Sequence, residues 1–116
     1  GADEIMSDYG FNGHKIYNHS QFGGLFPNNL NGFWPWDSFW DGTQIKYLNK
    51  EEYIAGHYGI ETRYPFLDKY LVQEFLWLTP ELKNSKYKSA LSEYLSINNF
   101  PFAQEKIGFN TLKNIK

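Results

Sequence analysis

The chain has no cysteine, which excludes disulfides and thiolate metal sites. It has no long apolar run either. Nothing in it approaches the roughly 18 consecutive apolar residues that a membrane-spanning helix needs, and the mean hydropathy is −0.58. An excess of charge of one sign is also missing. The 13 acids and 11 bases leave a formal charge of −2, too little for a field that draws in nucleic acid or anionic lipid. An anionic ligand would have to be held by local groups. No signal peptide is visible, and the lack of cysteine fits a cytoplasmic protein. Nucleic acid and membrane are therefore not expected as partners.

What remains is a chain of 116 residues with 41% apolar content, enough for one small domain with a core. Aromatic residues reach 20%. The chain opens at Gly1-Ala2-Asp3-Glu4 without methionine and is read as a piece of a longer protein.

Residues 1–10 are acidic and end at Gly10. Asp3, Glu4 and Asp8 suit the positive end of a helix dipole. Residues 11–47 are rich in aromatics, glycine and asparagine, with Phe22-Gly23-Gly24-Leu25-Phe26-Pro27 and Phe33-Trp34-Pro35-Trp36-Asp37-Ser38-Phe39-Trp40. These breakers interrupt helical periodicity, yet the rings carry too much area to be left in water. The expectation is an irregular, packed excursion with short helical turns, one of them starting at Pro27.

Residues 48–116 read as a helical extension and tail. Asn49 with Glu52 matches a capping box, and Tyr53, Ile54 and His57 form the expected inner face of that helix. Pro65 biases Tyr64 toward extended backbone. Asp68 caps a helix to Leu78 with Leu71, Val72, Phe75 and Leu76 as its stripe. Thr79-Pro80 is a further start signal, and a last helix is expected from Ser85 to Asn98. The coarse reading is mainly α, with a long irregular loop, no convincing strand set and no internal repeat.

Four short segments, in order, resemble the asparagine synthetase family (glutamine-hydrolysing). Gly1-Ala2-Asp3-Glu4 is similar to the end of its Ser-Gly-(Glu/Asp)-Gly-(Ala/Ser)-Asp-Glu loop. Glu61-Thr62-Arg63-Tyr64-Pro65-Phe66-Leu67-Asp68 is similar to Glu-x-Arg-x-Pro-Phe-Leu-Asp. Pro80-Glu81-Leu82-Lys83 matches a turn of the family, and Lys106-Ile107-Gly108-Phe109 is similar to Lys-x-Gly-Phe. The match covers about residues 1–10 and 48–110; the aromatic stretch matches only loosely.

The resemblance implies the helical C-terminal portion of an α/β ATP-pyrophosphatase fold. It implies an ATP- and Mg²⁺-dependent ligase that adenylates a carboxylate, most simply aspartate, and transfers ammonia from glutamine to it, forming asparagine. Asp3 is then a Mg²⁺ ligand and half of a site, since Mg²⁺ takes one or two carboxylates plus phosphate and water. Lys106 is the implied catalytic residue, contacting the phosphates of ATP or pyrophosphate where charge grows on the leaving group. Gly108 lets the backbone come close to that ligand.

Each role has a plainer counterpart: a helix-start acid for Asp3, a solvated tail lysine for Lys106. Glu61 and Arg63 have two readings, a buried ion pair that sets the scaffold or groups that reach the substrate pocket. Lys88 matches the lysine of the family's Lys-x-x-Leu-Arg element, but the arginine is replaced by Ser92. His14, His19 and His57 have no metal spacing.

The chain also departs from the family by absence. No Ser-Gly-Gly-x-Asp-Ser pyrophosphate loop and no catalytic N-terminal cysteine occur in it. By itself it is expected to be inactive and to associate with the rest of a synthetase, and helices built to lie on an absent sheet should leave it aggregation-prone or molten. The alternative is a non-catalytic module in which Phe33, Trp34, Trp36, Phe39 and Trp40 bind carbohydrate or a protein partner.

Overall fold

Asp68 stops one segment and starts the next. In the computed structural model, which describes residues 1–103, its carboxylate accepts hydrogen bonds from the amides of Tyr70 at 2.9 Å and Leu71 at 3.2 Å. Helix α3, Lys69–Trp77, begins there, as the sequence predicts. The described residues hold five α-helices, one 3₁₀ turn and one two-stranded ribbon, so the fold is mainly α. In chain order they are α1 (Ala2–Met6), β1 (Gly10–Phe11), β2 (His14–Lys15), α2 (Thr43–His57), the 3₁₀ turn Pro65–Leu67, α3, α4 (Pro80–Asn84) and α5 (Ser89–Ile97). None of these helices is long and apolar enough to cross a membrane.

The core joins three distant parts of the chain. Ile5 and Met6 of α1, Phe26 and Trp36 of the excursion, and Val72 and Phe75 of α3 form one buried cluster. Trp36 is fully buried, and its indole N–H donates to the Glu4 carbonyl at 2.6 Å. Phe26 meets Phe22, Trp36 and Phe75 with ring centroids 5.0–5.6 Å apart, the edge-on and tilted contacts that aromatic rings favour. The excursion is therefore packed, as expected. Its turns differ from the expectation: they begin at Leu30 and Trp36, whose carbonyls accept from Trp34 and Trp40 at 3.1 Å, and Pro27 starts none.

The ribbon is a small addition to the predicted architecture. β1 pairs antiparallel with β2, Gly10 opposite Lys15 and Phe11 opposite His14. Asn12 (φ +51°) and Gly13 (φ +82°) make the two-residue link, the Asn-Gly preference of a tight hairpin. Behind it, Gly24 (φ +76°) lies against Gly10 so closely that a Cβ would fall 2.1 Å from the Gly10 carbonyl oxygen. Only glycine fits such an approach.

Two helix starts correct the sequence reading. α2 starts at Thr43, not near Asn49, with Gly42 as a cap that offers no side-chain bond. Asn49 and Glu52 lie inside it. Its end is set by Gly59 (φ +67°), with Ile60 N–H bonded to the Ala55 carbonyl at 2.9 Å and Gly59 N–H to that of Gly56 at 3.1 Å, a glycine-closed C-terminus. Its expected inner face is not inner: Tyr53 is 81% exposed, and Ile54 and His57 are exposed too. α5 starts at Ser89, four residues later than expected, because Lys88 takes left-handed backbone (φ +48°).

The start at Thr79-Pro80 is as expected, with Thr79 Oγ1 as the acceptor for Leu82 N–H. Asn84, at the end of α4, bonds both backbone groups of Phe26, at 2.8 and 2.9 Å. It stands in for the paired strand that the excursion lacks.

Candidate functional site

The acidic start of the chain sorts into three carboxylates with different surroundings. Asp8 is fully buried. One oxygen accepts from Ser20 Oγ (2.8 Å), Phe22 N–H (2.8 Å) and Gly23 N–H (3.1 Å), and the other from Ser38 Oγ (2.7 Å). Four donors replace the water that a buried carboxylate loses. Asp8 is thus a structural hub, a role that its acidic neighbourhood in the sequence conceals.

Glu4 is buried as well and accepts from the Tyr9 hydroxyl. Burial, then this bond, pushes the Tyr9 phenol well above its ordinary value. Glu4 faces inward on α1, and Asp3 faces outward.

Asp3 Oδ1 accepts from the Tyr87 hydroxyl at 2.8 Å and lies 2.9 Å from Lys88 Nζ. Its side chain keeps 37% of its exposure. The Tyr87 phenol is pushed up, first by burial and then by the bond to Asp3. Its ring is steadied by Phe11 of the hairpin, edge-on at 6.0 Å between centroids. Residues from α1, the hairpin and the turn before α5 therefore meet at this one carboxylate.

As a donor set for Mg²⁺, the site offers a hard carboxylate oxygen of the kind that ion prefers. That oxygen is already held by the Tyr87 hydroxyl and the Lys88 ammonium. Among the described residues no group of three or more histidines or acids could hold a metal.

Glu61 and Arg63 are paired with each other, but the expected burial is absent. Their side chains are 78% and 72% exposed. They lie on the segment after α2, beside a shallow hollow of about 360 Å³ lined by Thr62, Tyr64, Pro65 and Asp68. Thr62 donates to Glu52 and thereby folds this segment back along α2. The structure does not bring Asp3 into this pair. Lys106 and Gly108 lie outside the described residues.

Lys83 of the Pro-Glu-Leu-Lys turn has an architectural role. It is buried, and its ammonium donates to the carbonyls of Leu76 at 2.9 Å and Leu78 at 2.6 Å. It closes the C-terminal end of α3, where the dipole favours a cation. Burial pulls its pKa below the ordinary lysine value.

An apolar concavity lies between α3 and α5. It measures about 680 Å³ and is lined by Met6, Leu71, Phe75, Leu78, Leu91 and Tyr94, with Glu74 beside them. In the aromatic cluster Trp34 and Phe39 stand 4.4 Å apart beside buried Trp36, while Phe33, Trp34 and Trp40 are exposed, Trp40 the most at 62%. Comparison with models of protein families, with curated proteins and with solved structures finds no match.

Proposed function

We propose that this chain is the helical C-terminal part of the synthetase domain of an asparagine synthetase-like ligase. That domain adenylates a carboxylate with ATP and passes ammonia to it, with aspartate as the simplest acceptor. The observation that carries the reading is the ordered set of four segments, Gly1 to Glu4, Glu61 to Asp68, Pro80 to Lys83 and Lys106 to Phe109.

The packing supports it. More large apolar side chains are exposed than buried. On the outer part of α2 and the segment behind it, Tyr53, Ile54, Tyr58 and Ile60 face water. Between α3 and α5 an apolar trough lies open. A chain that folds alone rarely leaves so much apolar area uncovered; a layer built against a sheet leaves that much when the sheet is elsewhere.

In this reading Asp3 would supply one carboxylate ligand to Mg²⁺, which would neutralise charge at the phosphates of ATP. Lys106 would hold pyrophosphate, and Gly108 would let the backbone approach it. Glu61 and Arg63 act as a surface pair that positions the loop, Asp68 as a cap, and the protein works in the cytoplasm. The chain by itself adenylates nothing, because the Ser-Gly-Gly-x-Asp-Ser loop is not in it. Reading the coding sequence before Gly1 tests the assignment. A Ser-Gly-Gly-x-Asp-Ser loop there is the expected result, and exchange of ATP with pyrophosphate by the isolated chain would refute it.

One observation favours a second reading, an aromatic binding module: the exposed indole of Trp40. A saturating fluorescence change on titration with oligosaccharides would support that module.

A further inference from the structure

We propose that Asn31-Gly32 is a site of spontaneous covalent modification: the Gly32 nitrogen closes on the Asn31 side-chain amide, ammonia leaves, and the chain then carries aspartate or isoaspartate there. The other Asn-Gly pair of the sequence, Asn12-Gly13, has the same chemistry and is held back by the fold.

The two pairs differ in one bond. Asn12 and Gly13 are exposed at the hairpin tip, but Gly13 N–H donates to the Gly23 carbonyl at 3.2 Å. Gly23 is fixed in turn, since its own N–H donates to the buried Asp8 carboxylate at 3.1 Å. It lies so close that a Cβ on it would fall 2.7 Å from the Gly13 carbonyl oxygen. Asn31 and Gly32 are exposed as well. They sit in the turn that Phe33 N–H closes on the Leu30 carbonyl at 3.0 Å, with Gly32 at φ +84°, the glycine position of a type II turn. Among the described residues neither the Gly32 N–H nor the Asn31 side-chain amide has a hydrogen-bond partner. No atom beyond its chain neighbours comes within 4 Å of where a Gly32 Cβ would stand.

The reaction first needs a proton lost from the Gly32 amide to solvent base, which a free, exposed N–H allows. The nitrogen must then reach Cγ of Asn31, and glycine, without a Cβ, lets the backbone turn through the conformation that the five-membered ring requires. The new bond joins Gly32 N to Asn31 Cγ. The bond from Cγ to the side-chain nitrogen breaks, and that nitrogen leaves as ammonia. Water opens the ring at either carbonyl, giving aspartate or isoaspartate with no oxidant, reductant or cofactor. Gly13 N–H must instead break its bond to Gly23 before it can lose a proton, so the step there waits on local opening of the hairpin tip. Either product places a negative charge in the turn between Leu30 and Phe33, and isoaspartate also lengthens the backbone within that turn.

The test is timed incubation of the 116-residue chain in mildly alkaline buffer. Deamidation at each pair is read by peptide mass mapping, and isoaspartate is counted by enzymatic methylation. The same is done in concentrated urea and with Asn31→Gln, whose longer side chain closes the ring poorly. In the folded chain Asn31 should deamidate about threefold to tenfold faster than Asn12, the factor set by opening one ordinary hydrogen bond. In urea the two rates should converge, and Asn31→Gln should remove most of the isoaspartate formed in buffer. Equal rates in buffer, or a faster Asn12, would overturn the proposal. So would a ratio that urea leaves unchanged, because the flanking residues and not the fold would then set it.

Discussion

Ser38 Oγ donates to the buried carboxylate of Asp8 at 2.7 Å and so joins the end of α1 to a residue 30 positions away. With Ser20, Phe22 and Gly23 on the other oxygen, this one side chain organises much of the irregular excursion. Replacing it with alanine strands buried donors, and such a change costs about 2–4 kcal/mol. Native-state hydrogen exchange should show Phe22 and Gly23 amides protected in the wild type and fast in Asp8→Ala. Unchanged protection would mean that the rings alone fix the loop.

Alkaline pH should loosen the acidic end. Tyr9 and Tyr87 ionise well above their ordinary value of 10.0 in the fold. Above that value the unfolded chain has released these protons and the folded chain retains them. The unfolded state then binds fewer protons, so stability falls as pH rises. The contribution is fully present below pH 10 and is lost progressively above it. Tyrosinate absorbance should therefore rise together with loss of the folded signal, and Tyr9→Phe should move that transition upward. A smooth titration with no change in folded signal would contradict this.

The pair Glu61–Arg63 and the cap Asp68 sit in one motif but should respond differently. Both partners of the pair are more than two-thirds exposed, so Glu61→Gln should change stability by less than about 0.5 kcal/mol. Asp68 bonds two amides at the start of α3, and Asp68→Ala should cost about 1 kcal/mol. Urea midpoints of the two variants decide it; equal losses would mean that the ion pair bears more of the scaffold than its exposure allows.

Elements whose signals are local were legible in the sequence. Asp68 before a stripe at helical spacing and Thr79 before Pro80 are complete start signals within four residues, and both helices begin there. The start of α2 was not legible, because Gly42 offers no side-chain cap and Asn49 with Glu52 imitates a capping box in mid-helix. Burial of Glu61 and Arg63 and of the face at Tyr53, Ile54 and His57 was expected from residue pattern alone, and the fold leaves all five exposed. The Asn12-Gly13 turn was there to be read, but two-residue strands give almost no alternation to flag it. Asp8 was hidden because its partners come from 12 to 30 positions away. Of the candidate site, Asp3 was named from its motif, but its pairing with Lys88 and Tyr87 is long-range and no local pattern announces it.

The two uncovered apolar surfaces should make the isolated chain sticky. Binding of the dye ANS with strong fluorescence, and light scattering that grows with concentration, are expected. Addition of the sheet-bearing part of a synthetase domain should suppress both. A monodisperse chain with no dye binding would show that the trough between α3 and α5 and the face of α2 need no cover.

The most direct measurement is exchange of labelled pyrophosphate into ATP, dependent on aspartate, by this chain supplied with a polypeptide that carries the Ser-Gly-Gly-x-Asp-Ser loop. Exchange is expected only when both are present, reduced by about 100-fold or more in Lys106→Ala, the scale of losing one group that stabilises developing charge. Exchange that is absent from the combination, or that is indifferent to Lys106→Ala, would contradict it.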